Sequence, residues 1–142
     1  MRVKERIEEK DLLLKDLCAR LPYGVIVDYK ENEFETPHWQ ITTIYPNTFN
    51  GWIGYDKRVG AGSESGSRPF NIGEVKPYLR PMSSMTEEEK EQIKDLWIDA
   101  DINTHAIRLI DFYNKYHFDY RGLIDKGLAI EVTEDNNPYV ED

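Results

Sequence analysis

The spacing of apolar residues changes near residue 80, and this change limits the folds that the chain can adopt. Before it, short segments rich in β-branched and aromatic residues alternate with turn-forming residues, a pattern typical of strands. After it, apolar residues recur every three or four positions, as in a helix with one buried face. The sequence therefore predicts an α+β fold with an N-terminal helix, a small curled antiparallel sheet or partial barrel, a C-terminal helical pair and a closing strand.

The N-terminal segment predicts an amphipathic helix over residues 5–21, which ends because Pro22 lacks an amide proton. Charged residues occupy one face, and the apolar stripe consists of Val3, Ile7, Leu14, Leu17, Cys18 and Leu21. Since Cys18 belongs to this stripe, we expect its thiol to be buried and unreactive.

Short segments between residues 22 and 80 predict four or five strands, over residues 23–29, 39–45, 52–55 and 70–75, the last segment being one strand or a pair of short strands. Proline cannot donate to a strand ladder, so Pro46 is expected to end the second strand and Pro77 the last. Residues 60–69 contain three glycines and three serines, a composition that predicts a loop.

The first helix beyond residue 80 is predicted over residues 86–100. Thr86 and Glu89 have the spacing of a capping box, in which each side chain satisfies a backbone amide of the other residue. Ser84 with Glu87 is an equally good register. Either register explains the acidic start of this helix, because carboxylates are favourable near the positive end of the helix dipole.

A second helix is predicted over residues 103–116, followed by a strand over residues 128–132 and an acidic tail over residues 133–142. We expect Trp97 to be buried between the two helices, because large aromatic side chains usually fill such interfaces. Its expected neighbours are Ile93, Ile107 and Ile110.

The chain has 142 residues, a length that suits a single domain. Its expected parts are an N-terminal helix (1–21), a β-rich part (22–80), a helical part with the terminal strand (81–132) and the acidic tail (133–142). The sequence contains no apolar run of bilayer length and no apolar segment typical of a secretory signal. One cysteine excludes an intrachain disulfide and a multi-cysteine zinc site, so we expect a cytoplasmic location.

Charge is unevenly distributed along the chain, whose net charge is -9. Residues 81–142 hold fifteen acids and six bases, whereas residues 51–80 hold five bases and three acids. The acidic half should repel polyanions, so the sequence predicts binding neither to duplex nucleic acid nor to a membrane. Only the middle segment offers a favourable place for a small anion.

No catalytic or metal-binding motif is present in the sequence. His38, His105 and His117 lack the spacing of zinc ligands, and no serine lies in a Gly-x-Ser-x-Gly turn. The clustered aspartates lack the spacing of a calcium loop. We therefore expect no enzyme activity, no metal and no cofactor, although catalytic groups that meet only in space stay an alternative.

A candidate anion site can be assembled from the basic middle segment and its aromatic neighbours. Guanidinium and ammonium groups suit a phosphate, and aromatic faces suit a flat base. The candidate ligand-binding residues are Lys57, Arg58, Arg68, Lys76, Arg80, Trp39, Trp52 and Tyr78. The alternative is that the rings fill the core of the sheet, the bases lie in solvent or form structural clamps, and the glycine-rich loop is a plain connection.

Three stretches resemble a group of small proteins encoded by phages and prophages of gut Bacteroidota. They read LCARLPYG (17–24), KPYLRPMSSMTEEE (76–89) and FDYRGLI (118–124), whereas residues 29–72 match this group much less well. The resemblance implies a phage-related context, a location in the cytoplasm of the bacterial host and an accessory role. No activity, cofactor or catalytic residue comes with it.

Two hypotheses for a non-catalytic binding protein follow. The first is a phage accessory protein that sequesters a nucleotide-derived signal of host defence, which requires a concave, basic, aromatic-lined site. The alternative is an inhibitor or adapter that binds a host or phage protein through its acidic helical face. That role requires an exposed apolar patch rimmed by acids. A homo-oligomer is compatible with both.

Overall fold

The structure, a computed structural model, describes residues 2–29, 38–47, 51–59 and 67–139, with side chains for residues 8–28, 39–44 and 71–139. Its elements in chain order are α1 (Arg2–Arg20), β1 (Ile26–Tyr29), β2 (His38–Asn47), β3 (Gly51–Val59), β4 (Ser67–Asn71), β5 (Val75–Leu79), α2 (Glu87–Asp95), α3 (Ile102–Lys115) and β6 (Ile130–Glu131). The predicted α+β class is confirmed. Residues 60–66 of the predicted loop lie outside the described residues, and the prediction is wrong for residues 67–69, which belong to β4 and pair with β3.

The strands form one open sheet in the order β4-β3-β2-β1-β5-β6. Neighbours from β4 to β5 run antiparallel, and β6 joins β5 in parallel through Tyr78 and Ile130. Both predicted proline boundaries are wrong, because β2 continues to Asn47 and β5 includes Pro77. Pairing with β6 starts only at Tyr78, so the missing amide of Pro77 removes no hydrogen bond on that side.

The apolar core joins α1 to one face of the sheet. Leu13 and Leu17 of α1 are 1% and 0% exposed. The same cluster includes Val25, Val27, Ile41, Ile72, Val75, Leu79, Leu123, Leu128 and Ala129. Burying a Leu or Val side chain contributes about 1.5–3 kcal/mol, so this cluster is the main source of stability in the described residues.

The buried face of α1 also contains an ion pair, which rotates the helix away from the predicted orientation. Asp16 and Arg20 are each 0% exposed, and Arg20 Nε lies 2.8 Å from Asp16 Oδ2. Since these residues share a face with Leu13 and Leu17, Cys18 falls on the opposite side of the helix. The prediction of a buried Cys18 is therefore wrong, because its side chain is exposed.

Arg20 also ties α1 to the chain that follows α3. Its Nη2 donates to the Phe118 carbonyl at 2.6 Å, and Arg121 Nε lies 3.4 Å from Asp16 Oδ1. The Asp119 carboxylate accepts hydrogen bonds from the amides of residues 123 and 124 at 2.8 and 3.0 Å. We call Asp16, Arg20, Phe118 and Arg121 the polar junction.

The helices α2 and α3 follow each other as a helical pair, which we call the hairpin, and their connection is longer than predicted. The Thr86–Glu89 capping box is present, but α2 ends at Asp95 and residues 96–99 form turns. Asp99 has a φ of 52°, and the Asp101 carboxylate caps α3 by accepting from the Thr104 amide at 2.7 Å. The predicted burial of Trp97 is wrong, because the α2 helix ends before it and the ring lies at the surface.

The last described residues return to the sheet. The Tyr139 hydroxyl accepts from the Ile26 amide at 3.0 Å and donates to the Tyr78 carbonyl at 2.8 Å. Its ring stacks on His117 with centroids 3.6 Å apart. The segment that the sequence suggests as a tail therefore closes the end of the β1–β5 pairing.

Candidate functional site

The candidate anion-binding residues are distributed over several places in the structure. The side chains of Lys57, Arg58, Arg68 and Trp52 lie outside the described part. In backbone register, Arg58 is opposite Trp39 and Arg68 is opposite Asp56. Trp39 is partly buried against the core cluster, which agrees with the structural alternative for this ring.

Lys76 and Tyr78 both lie next to an acidic residue of β1. Lys76 is the register partner of Asp28, and the Tyr78 hydroxyl donates to Asp28 Oδ2 at 3.3 Å. Burial raises the pKa of Tyr78 to about 12, and the Asp28 charge adds to this rise. A carboxylate at this place opposes the binding of an anion.

Arg80 is part of a structural clamp. Its Nη1 and Nη2 donate to the two Glu89 carboxylate oxygens at 2.8 Å each, and its Nε donates to Ser84 Oγ at 3.3 Å. The guanidinium also lies 4.2 Å from the centre of the Phe118 ring. These hydrogen bonds hold the pKa of Glu89 at about 2, well below its usual value. Arg80 therefore joins β5, α2 and the polar junction.

A pocket of about 290 Å³ lies beside α1. Glu8, Glu9, Leu12 and Lys126 line it. Two carboxylates against one ammonium group give this pocket the wrong charge for a phosphate.

The hairpin exposes large apolar side chains to solvent. The exposed fractions are 51% for Trp97, 62% for Ile98, 73% for Ile102, 64% for Ile107 and 40% for Ile110. Ala106 is exposed between them on α3. We call these six residues the hairpin face. Isolated apolar residues at a surface need no explanation, but several on one element indicate an interaction surface.

Helical geometry places most of the hairpin face on one side of α3. Ile102, Ala106 and Ile110 follow each other at intervals of four residues, and Ile107 lies between the last two turns. The opposite side of α3 carries the buried Phe112. The helix therefore has apolar residues on both sides, and those from Ile102 to Ile110 on the first side are exposed, up to the buried Asn114.

The turn between the helices holds Trp97 in a fixed place. Its indole stacks on the His105 imidazole with ring centroids 3.5 Å apart. Arg108 Nη1 donates to the carbonyls of Leu96 and Ile98 at 3.1 and 2.8 Å. Since His105 lies in the first turns of α3, Trp97 is held beside the N-terminal part of that helix. The hairpin face is thus preorganised.

Three exposed aspartates are sequence neighbours of residues in the hairpin face. Asp99 follows Ile98, Asp101 precedes Ile102 and Asp111 follows Ile110, and all three aspartates are exposed. Arg108 is the nearest base in α3, and it is occupied by the two carbonyl groups. An apolar centre with an acidic rim is the arrangement that the protein-binding hypothesis requires.

The residues of this surface were not predicted as a site, although one signal in the sequence points to it. The segment 102–116 has apolar residues over more than half of the circumference of the helix. A helix that packs on one side can bury only part of such a set. The excess of aliphatic residues could therefore have indicated a second surface.

Comparison with known proteins finds no matching family model, no matching curated protein and no matching solved structure. Among the described residues, no group of three or more His, Cys, Asp or Glu could hold a metal ion. No helix in the described part of the chain has both the length and the apolar composition needed to cross a bilayer.

Proposed function

We propose that the chain is a protein-binding module that docks another polypeptide on its hairpin face. The observation that carries this proposal is the exposure of Trp97, Ile98, Ile102, Ile107 and Ile110 on one preorganised hairpin. Removing apolar surface from water is favourable by about 25 cal/mol per Å², so a contiguous apolar surface favours association. Aromatic residues such as Trp97 are also frequent among the residues that dominate binding energy.

The shape of this surface favours a protein over a small molecule. Small ligands bind in concave sites that enclose most of their surface. The hairpin face instead lies on the outer side of a helix and on the adjoining turn. Such a surface can be covered by another helix or by a protein groove.

Charge disfavours a second copy of this chain as the occupant. Residues 86–111 contain eight acids and three bases. Symmetric docking of two such hairpins would bring the aspartates at positions 99, 101 and 111 of each copy toward those of the other. Like charges across an interface are destabilising, so we favour a different protein with a complementary surface.

The test is site-specific photo-crosslinking from the hairpin face in cells of the organism that encodes the protein. A photoreactive residue replaces Ile107 in one variant and Glu131, which is exposed on β6, in the matched control. We expect one polypeptide to cross-link from position 107 and not from position 131. The purified partner should then bind the natural chain, with at least tenfold weaker binding to Ile107→Asp.

Two results would contradict the proposal. One is the same set of cross-linked products from both positions, which indicates random collision. The other is equal affinity of the purified partner for the natural chain and for a folded Ile107→Asp variant. Circular dichroism of the variant, with a melting temperature close to that of the natural chain, establishes that it is folded.

The proposal includes action in the cytoplasm of a bacterial cell, which the single cysteine supports. Sequestration of a nucleotide-derived signal stays a separate prediction. Because Arg80 is already paired with Glu89, the informative variants for it are Arg58→Ala and Arg68→Ala. A nucleotide that raises the melting temperature of the natural chain, and raises it less in these variants, would support that prediction.

A further inference from the structure

We infer that the partner segment is an amphipathic helix with apolar residues on one side and lysines or arginines along the flanks of that side. This inference rests on the proposed function and adds the chemistry of the partner. Three features of the hairpin face support this inference. They are the alternation of large and small side chains on α3, the lack of free backbone groups with which a strand could pair, and the charges beside the apolar residues.

The relief of α3 fits the side chains of another helix. Ile102 and Ile110 project on either side of the small Ala106, and Ile107 borders the same position. Helices pack by inserting the side chains of one into the gaps between side chains of the other. Ala106 forms such a gap, because its methyl group leaves room for a Leu or Ile of the partner.

A partner strand would find nothing to pair with on this surface. A strand binds through the free amide and carbonyl groups of a sheet edge. The backbone groups within α3 are paired along the helix, and the Asp101 carboxylate caps its N-terminus. A partner helix satisfies its own backbone and can therefore dock through side chains alone.

The charges beside the stripe select a basic partner. Asp111 lies four residues beyond Ile107 on the same side of α3, and Asp99 lies in the turn beside Ile98. The two lysines of α2 are each engaged with a carboxylate of that helix: Lys90 with Glu87 at 3.2 Å and Lys94 with Glu91 at 3.0 Å. Lys115 follows Asp111 by four residues on α3, but among the described residues neither this lysine nor those of α2 form an ion pair with the aspartates at positions 99 and 111. Lysines or arginines at the flanks of the partner helix would do so.

The length of the stripe sets the size of the partner segment. From Ile102 to Ile110 a helix rises about 12 Å, and the Trp97 ring lies beside this span, stacked on His105. A partner helix of about four turns covers this distance.

The test uses three synthetic peptides of 18 residues and the full chain. The basic peptide has Leu at positions i, i+3, i+4 and i+7 of its repeat and Lys elsewhere. The acidic peptide has Glu in place of Lys, and the scrambled peptide has the basic composition with Leu on all sides. Calorimetric titration at low salt should give binding of the basic peptide at least tenfold tighter than binding of either other peptide.

Two double variants locate the contact. Asp99→Asn/Asp111→Asn removes two charges beside the hairpin face, and Asn tolerates the positive φ at position 99. Glu8→Gln/Glu9→Gln removes two exposed charges from α1 as the matched control. We expect the first variant to bind the basic peptide about 3- to 10-fold more weakly and the second to change binding less than twofold.

Three outcomes would overturn the inference: equal binding of the basic and acidic peptides, equal binding of the basic and scrambled peptides, or equal effects of the two double variants. Sedimentation that shows a dimer of the natural chain but a monomer of Ile107→Asp would overturn it as well, since a second copy would then be the occupant. A cross-linked partner that binds through position 107 without a basic helix defeats only this inference. Failure of the cross-linking test defeats the proposed function too.

Discussion

Helices α1 and α3 both carry aliphatic residues at helical spacing, but two leucines of α1 are buried and three isoleucines of α3 are exposed to solvent. In α1, Leu13 and Leu17 are buried against the sheet. In α3, Ile102 and Ile107 are exposed, and the side that packs is aromatic instead. Phe112 stacks parallel to Phe118 of the polar junction, with ring centroids 6.4 Å apart.

Charged residues of α1 also depart from the pattern that hydrophobicity alone would predict. The most deeply buried side chains of α1 include Asp16 and Arg20, which a helical pattern assigns to solvent. Burial is thus decided by which neighbour an element meets, and not by the hydrophobicity of its residues alone. The comparison shows that the buried core around α1 contains charged residues, whereas several aliphatic side chains of α3 lie at the surface.

The largest loss of unfolding free energy is expected from a substitution in the polar junction. Arg20→Met leaves the Asp16 carboxylate buried with only the more distant Arg121, so it should cost about 3–5 kcal/mol of unfolding free energy. The double variant Asp16→Leu/Arg20→Met removes both charges and should regain much of that loss. Urea denaturation of the three proteins provides the measurement, and a cost below about 1 kcal/mol for Arg20→Met would contradict the role of the junction.

His117 should make the stability of the same region depend on pH. Burial, together with the charges of Arg20 and Arg80, lowers the pKa of His117 to about 4. Because the ordinary histidine pKa is about 6.5, the unfolded chain takes up the proton first as the pH falls. The stabilisation is therefore complete above about pH 6.5 and is lost between about pH 6.5 and 4, by roughly 2–3 kcal/mol.

The control for this prediction is His117→Asn, which does not titrate and tolerates the φ of 64° at this position. Denaturation at pH 7.5, 5.5 and 4 should show a smaller loss in the variant than in the natural chain. Equal losses in the two proteins would assign the pH dependence to other groups.

A smaller loss of unfolding free energy is expected from a substitution at Tyr139, where the C-terminal segment contacts the sheet. Tyr139→Phe keeps the ring stacked on His117 but removes the hydroxyl that joins the Ile26 amide to the Tyr78 carbonyl. Leaving two backbone groups without this bridge should cost about 1–3 kcal/mol. Hydrogen exchange at the Ile26 amide should accelerate in the variant, and an unchanged rate would show that the hydroxyl does not protect it.

The order and type of the elements could be predicted from the sequence, because they depend on local patterns. The Thr86–Glu89 capping box is one example, since it requires only two residues at a fixed spacing. The burial of Asp16 could not be predicted, because it depends on a carbonyl at residue 118 and on Arg121, far along the chain. Trp97 was assigned to the core on its size alone, although its position depends on where α2 ends.

The candidate anion site illustrates the same limit. Its residues were grouped by charge and by nearness in sequence. Arg80, however, forms hydrogen bonds with Glu89 of the capping box at the start of α2, and Tyr78 on β5 donates a hydrogen bond to Asp28 on the neighbouring strand β1. Pairing in space therefore removes Arg80 from the set of free bases, which no count of charges along the chain can reveal.

The most direct test of the account compares one residue from each helix. Leu17→Ala in α1 should cost about 2–5 kcal/mol of unfolding free energy, because it removes a fully buried side chain. Ile107→Ser in α3 should change it by less than about 0.5 kcal/mol, because the side chain is exposed and the two residues have similar helix propensities. Urea denaturation of both variants beside the natural chain is the measurement. A cost for Ile107→Ser comparable to that for Leu17→Ala would show that the hairpin face is part of the core, and would contradict its assignment as a docking surface.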